Sequence, residues 1–319
     1  MFRKAIFTIA ALVAAGTVAD AQRFEPLKYG NFDQWITRNI KESRLLGGHT
    51  KQVYEIGPTQ TDNSGKAYSN RGGSPWATSN VLASPAGVVK TSNAVYPEKR
   101  GNGYCAKLMT EFEHCKAVGL VNIDVIVGGS IFTGEMIEPI KNTKNPYSKM
   151  DMGVPFTGRP RAMRFDYQVL MPESDERIYS SGFGKKKTLP GRDHAEALVV
   201  LQRRWEDKDG NIYAKRVGTG LERYTKSTGG WVNGHNMKIF YGNPAGQKGA
   251  SSAMQLFPES KCRYAKNSKG KMVPVHEVGW DDPNATPTHM IVMFSAAGGE
   301  PYTGTLGLTL WVDNVGMVY

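Results

Sequence analysis

An all-β protein, built as a sandwich or barrel of short strands, is the fold the sequence predicts. Three observations carry it: a segment that alternates at residues 162–171, a turn dipeptide between two strand-like runs, and sparse helical periodicity in a chain with 36 glycines and 17 prolines among 319 residues. In the first, Met163, Phe165, Tyr167, Val169 and Met171 point one way and Arg164, Asp166 and Gln168 the other, as a half-buried strand requires. In the second, residues 197–205 and a run starting at Ile212 flank Asp207-Lys208-Asp209-Gly210-Asn211, and Asp-Gly between two such runs signals a hairpin. Gly- and Pro-rich connections between many strands argue against alternating β and α units.

Residues 121–127 are rich in β-branched side chains, and 290–294 and 306–318 read as further strands. Short helices are expected at 32–43 and 110–117. Residues 51–74, polar and rich in Gly and Asn, read as a long loop of a kind that is often functional. With no internal repeat and no low-complexity linker, residues 22–319 are expected to form one domain.

The first 21 residues have the layout of a secretory signal. Arg3 and Lys4 precede an uncharged apolar run at residues 5–15, and Ala19-Asp20-Ala21 supplies a small-x-small cleavage motif. The run is shorter than the ~20 residues a spanning helix needs. An exported chain, periplasmic or extracellular, is therefore expected. The formal charge of +11 falls to +10 without that segment. Scattered Lys and Arg, together with export, argue against nucleic acid as a partner and leave an acidic polysaccharide or simple solubility. Cys105, Cys115 and Cys262 are too few for a disulfide framework; an oxidising compartment permits one bridge, and Cys105–Cys115 is the nearest pair in sequence. Neither a CxxC pair nor a His-x-x-x-His spacing is present, so zinc has little support from spacing.

Several segments together resemble one bacterial family, the putative carbohydrate metabolism domain. They are Asn31-Phe32-Asp33-Gln34-Trp35, Trp76-Ala77-Thr78-Ser79-Asn80, Gly103-Tyr104-Cys105-Ala106-Lys107-Leu108, Ile131-Phe132-Thr133-Gly134, Gly153-Val154-Pro155-Phe156-Thr157-Gly158-Arg159-Pro160, and Gly304-Thr305-Leu306-Gly307 with Trp311-Val312-Asp313-Asn314-Val315. The resemblance implies a β jelly roll in an exported protein with a role in carbohydrate handling, and supplies no reaction. An immunoglobulin-like domain often precedes the jelly roll in that family, and this chain leaves little room for one.

Sugar recognition needs flat apolar faces for ring C–H groups and planar hydrogen-bonding groups for hydroxyls. The residues expected to supply them are Trp76 and Asn80, Arg100 beside Gly101 and Gly103, and Phe156, Thr157 and Arg159 in one loop. Asp166, with Arg164 and Gln168 on the outward face of its strand, is expected to line a groove. Each has a plainer alternative: Trp76 plugging the core, Arg159 pinning a loop through carbonyls, Arg100 simply solvated. A hydrolase needs two carboxylates ~5–10 Å apart; Glu135, Asp166, Glu196 and Glu222 are available but no spacing pairs them. A lyase needs a base, for which Tyr167, His194 and Tyr224 are available. Asp33 and Asp313 loosely match the acids with which jelly-roll carbohydrate modules tie first and last strands through a structural calcium, although calcium takes six to eight oxygens. No other cofactor is expected. A carbohydrate-binding protein is the reading these residues favour, ahead of a hydrolase or lyase on the same fold and of a structural protein of the cell envelope.

Overall fold

The computed structural model describes residues 23–70, 72–117, 121–174, 176–182, 185–298 and 301–319. The expected signal segment and its cleavage point lie outside the described residues. The fold is all-β, with about 53% of the chain in strands and almost no helix. Among the described residues, no helix is long and apolar enough to cross a membrane.

Two large sheets share one core. In the seven-stranded sheet the order is Val121–Gly128, Gly103–Ala117, Thr309–Val318, Ala162–Leu170, Val232–Lys238; Val95–Arg100 also pairs with Gly103–Ala117, and Phe24–Pro26 with Thr309–Val318. The alternation at 162–171 becomes the strand Ala162–Leu170, with Met163, Phe165, Tyr167 and Val169 buried. They meet Ala197, Val199, Leu201, Val292 and Phe294 of the ten-stranded sheet. Phe165 packs edge-on against Phe294 with ring centroids 5.0 Å apart, so the contact crosses from one sheet to the other.

The ten-stranded sheet departs from a simple open layer. Ser130–Met136 pairs through Ser130, Ile131 and Phe132 with His289–Ser295, and through Gly134, Glu135 and Met136 with Met150–Met152. This joins the ends of a run through Ala195–Glu206, Ile212–Tyr224, Met272–Trp280 and Arg263–Lys266, closing seven strands into a barrel-like ring. Thr133 stands where the two partners diverge; its hydroxyl donates to the Met290 carbonyl and accepts from the Val292 N–H. Gly134 is required there, because a Cβ would lie 2.0 Å from the Asp151 carbonyl oxygen.

The Asp-Gly hairpin forms as expected, joining Ala195–Glu206 to Ile212–Tyr224. Asp207 Oδ1 accepts from the N–H groups of Asp209 and Asn211 at 2.9 Å each, and Gly210 takes φ 92°, which suits glycine. Other expectations are corrected. The helix expected at 32–43 is the strand Trp35–Lys41, whose Ile36, Arg38 and Ile40 are buried at period two. The one expected at 110–117 is the end of the fifteen-residue strand Gly103–Ala117, paired with Val121–Gly128. In both, ladder pairing outweighs weak local propensity. The loop expected at 51–74 holds most of the strand Thr50–Ile56 and all of Gln60–Asp62, which flank Trp35–Lys41.

All three cysteines are buried free thiols. Cys105 and Cys115 lie on one strand. Ten residues of strand span about 33 Å, far beyond the ~7 Å limit on Cα separation in a disulfide, so this pair does not bridge.

Candidate functional site

Asp166 shows what the alternating strand does on its outward face. The register against Thr309–Val318 shifts between Arg164 and Asp166, and that against Val232–Lys238 between Phe165 and Tyr167. A bulge of this kind re-aims a side chain, and here Asp166 pairs directly opposite Asp313. Arg100, at the end of Val95–Arg100, reaches both. Its Nη1 donates to Asp166 Oδ2 at 2.9 Å and to Asp313 Oδ2 at 2.6 Å, while Nη2 donates to Asn233 Oδ1 at 2.5 Å. The guanidinium lies 3.7 Å from the centroid of the Trp231 ring, a cation–π stack. Asp166 also accepts from the Gly234 N–H at 2.6 Å and from Asn314 Nδ2 at 2.8 Å. Gly234 has φ 63°, and a Cβ there would lie 2.7 Å from Arg164 Nη2, so glycine brings the backbone up to the carboxylate.

The two carboxylates differ electrostatically. Burial raises both, but hydrogen bonds from Asn314, the Gly234 N–H and Arg100 hold Asp166 below the usual range. For Asp313 burial dominates, the Asp166 charge adds to it, and Arg100 offsets only part, so its pKa is raised.

An open groove of about 420 Å³ lies against this cluster, lined by Phe24, Arg164, Asp166, Asn233, Gly234 and Asn314. Phe24 is 38% exposed, and the Arg164 guanidinium sits 5.5 Å from its ring centroid. Amides, a carboxylate and a guanidinium beside an aromatic ring are the donors, acceptors and apolar face that a polyhydroxylated ring requires. A second cavity, of about 300 Å³, opens elsewhere; its wall mixes apolar side chains such as Val81, Ile123 and Met293 with charged ones such as Lys90, Glu113 and Arg263.

Of the residues expected from sequence, Arg100, Asp166 and Asp313 converge here, and Arg164 joins them. The others do not. Trp76 is 1% exposed, packs edge-on against Phe32 and donates its indole N–H to the Lys28 carbonyl at 3.0 Å; it has no ring face for a sugar and is a core residue. Asn80 is fully buried, donating to the carbonyls of Tyr54 and Val95 and accepting from the N–H groups of Ala94 and Val95. Its amide is spent on holding three segments together. Arg159 donates to the carbonyls of Ala285 and Pro283 and stacks on Tyr241 at 4.4 Å, so it pins that turn. Phe156 packs against the shared core and Thr157 is exposed, and the groove lining includes neither. Trp76 and Arg159 therefore do not line one pocket. Asp33 accepts from Asn31 and from the Tyr104 N–H, while Asp313 faces the Arg100 guanidinium, so the two acids considered for calcium have separate partners.

Trp231, Asn233, Gly234, Asn314 and Phe24 were not singled out in the sequence. The Asn233-Gly234 dipeptide is a turn signal, and Asn314 follows Asp313, but nothing local says that both face Asp166.

The remaining acids are engaged elsewhere. Glu222 accepts from Tyr224 OH at 2.8 Å and lies 2.7 Å from His235 Nε2, with Tyr167 stacked on Tyr224 at 4.5 Å. Burial, then the Glu222 charge, pushes the Tyr224 phenol well above its ordinary range. Glu196 accepts from Arg223 at 2.9 Å and lies 3.6 Å from His194, and Glu135 pairs with Lys266.

Comparison with known proteins adds a family. Two crystal structures of proteins described as a "putative glycoside hydrolase" are similar to the chain. The one from Bacteroides thetaiotaomicron is 16% identical, with a TM-score of 0.45 and coverage of 89% of this chain and 70% of that one. The one from Bacteroides vulgatus is 13% identical, with a TM-score of 0.45 and coverage of 92% and 94%. No curated protein matches the sequence. A family model described as "Putative carbohydrate metabolism domain" matches residues 32–228, which include Arg100 and Asp166. The chain belongs to this family, the putative carbohydrate metabolism domain.

Proposed function

We propose that this protein is an exported carbohydrate-binding protein of jelly-roll type that holds a glycan in the groove beside Asp166. The observation that carries the reading is the convergence of Arg164, Asp166, Asn233 and Asn314 around an open groove of about 420 Å³ with the Phe24 ring at its side. The family's description supports the ligand class, and the core shared by the two large sheets supports the jelly roll. Binding is favoured over hydrolysis because both carboxylates of the cluster, Asp166 and Asp313, are hydrogen-bonded to one Arg100 nitrogen. That guanidinium occupies the space in which a glycosidase places the scissile bond.

A glycan array of residues 22–319 identifies the ligand, and calorimetric titration of the best hit locates the site. Arg164→Ala and Asn233→Ala remove exposed groups. Arg164→Ala is expected to weaken binding about tenfold or more, since a hydrogen bond to a charged group is worth about 1.5–3 kcal/mol, and Asn233→Ala about two- to tenfold, since a neutral one is worth about 0.5–1.5 kcal/mol. Unchanged affinity in both folded variants refutes the groove as the site. Release of new reducing ends from the same glycan would favour the enzymatic alternative.

A further inference from the structure

Apart from the groove, one cluster brings together three different metal-ligating side chains. Glu259 opens the short 3-10 turn Glu259–Lys261, and Cys262 follows at its end. His276 comes from the strand Met272–Trp280. Glu259 Oε2 lies 2.8 Å from His276 Nδ1 and 3.5 Å from Cys262 Sγ, and the three donor atoms are all within 4.8 Å of one another. Among the described residues this is the one group of three such side chains so arranged.

We propose that Glu259, Cys262 and His276 form a zinc site with an open fourth position. The chemistry of the donors selects the ion: calcium and magnesium take oxygen ligands, whereas a thiolate with an imidazole suits zinc. A tetrahedral zinc with bonds of about 2.0–2.3 Å places its ligand atoms about 3.3–3.7 Å apart, so side-chain shifts of about 1 Å bring these donors to that spacing. In the ion-free arrangement the carboxylate accepts hydrogen bonds from the thiol and the imidazole. Zinc displaces those hydrogens: the thiol proton is released to solvent, and the imidazole turns an Nδ1 lone pair to the metal with its proton on Nε2.

The neighbourhood holds this geometry ready. Tyr213 lies against the His276 ring with centroids 5.6 Å apart, and Trp205 stacks on Tyr213 at 5.9 Å, which restricts the imidazole plane. Cys262 is 3% exposed, so its sulfur is fixed by packing, while the Glu259 side chain is 70% exposed and leaves one side of the cluster open. Three protein ligands with an accessible fourth position is the donor count of catalytic rather than structural zinc.

The test is a titration of the reduced chain, residues 22–319, with Zn²⁺ against a chromophoric chelator, and with Co²⁺ followed by absorption. One equivalent of Zn²⁺ is expected to bind, and Co²⁺ is expected to give the near-ultraviolet thiolate charge-transfer band. His276→Ala and Glu259→Gln change partly exposed side chains, and each is expected to bind at least about 100-fold more weakly. Cys262→Ser is expected to lose the Co²⁺ band. Should that buried substitution unfold the chain, His276→Ala and Glu259→Gln decide. Zn²⁺ affinity unchanged in both, or a Co²⁺ band that persists in folded Cys262→Ser and so arises at Cys105 or Cys115, overturns the proposal. So does the absence of Zn²⁺ binding.

Discussion

Replacing Arg100 with Met tests the charged cluster beside the groove most directly. The side chain is 20% exposed, and its partners Asp166 and Asp313 are 12% and 9% exposed, so solvent screens the cluster only partly. Methionine keeps the stem's packing but deletes three hydrogen bonds, two of them to carboxylates, and the stack on Trp231. Two adjacent carboxylates then remain without their cation. A charged hydrogen bond is worth about 1.5–3 kcal/mol, but water entering a partly open site recovers some of it, giving an expected loss of about 2–4 kcal/mol. At about 2–4 °C per kcal/mol for a chain of this order, the melting temperature should fall by roughly 4–16 °C. The sign of the pH dependence follows from Asp313. Its pKa is already raised by burial and by the Asp166 charge, and losing Arg100 raises it further. A carboxylate with a raised folded-state pKa destabilises as pH rises above its unfolded value, so the deficit should be larger at neutral pH than in mild acid. Thermal melts of both proteins across that range, with an Arg100/Asp313→Asn double-mutant cycle, measure it. A melting temperature within about 1 °C of the parent at neutral pH, or a deficit that does not shrink on acidification, refutes the reasoning.

Trp76→Ala should destabilise by about 3–5 kcal/mol through the cavity it leaves, while the milder Trp76→Phe should bind glycan as the parent does; a tenfold affinity loss in well-folded Trp76→Phe would contradict its assignment to the core. Glu277, whose side chain is fully buried, accepts from Arg216 Nε and Nη2, Gln202 Nε2 and the Phe257 N–H at 2.5–2.7 Å. Glu277→Ala strands the buried guanidinium and should lower unfolding free energy by about 3–5 kcal/mol in denaturant titration; a change below about 1 kcal/mol would contradict this. Burial, then the Arg204 charge, lowers the His289 pKa to about 4. The unfolded chain then takes up a proton that the folded chain refuses as pH falls from about 6.5, so this contribution to stability declines on acidification through that window. His289→Gln should flatten the stability–pH curve there, and an unchanged curve argues against a buried neutral imidazole.

The strand Ala162–Leu170 and the Asp209-Gly210 hairpin were legible in the sequence because both depend on local rules: period-two burial, and a turn that needs a positive φ. The family was legible as well, since its segments keep their order along the chain. Arg100 and Asp166 were visible as sugar-binding candidates and Asp313 as a calcium candidate, and only the fold shows that one guanidinium joins the two acids. Their partners Trp231, Asn233 and Asn314 lie up to 214 positions from Arg100, and no local pattern encodes such a meeting. Trp76 and Asn80 misled for the same reason. A Trp in polar company looks exposed until Phe32 and the Lys28 carbonyl, more than forty residues away, are seen to enclose it. Local sequence determined which residues alternate, turn and pair nearby. Tertiary packing alone decided which side chains are enclosed and which converge, because burial and long-range hydrogen bonds are set by segments that approach only once the sheets close.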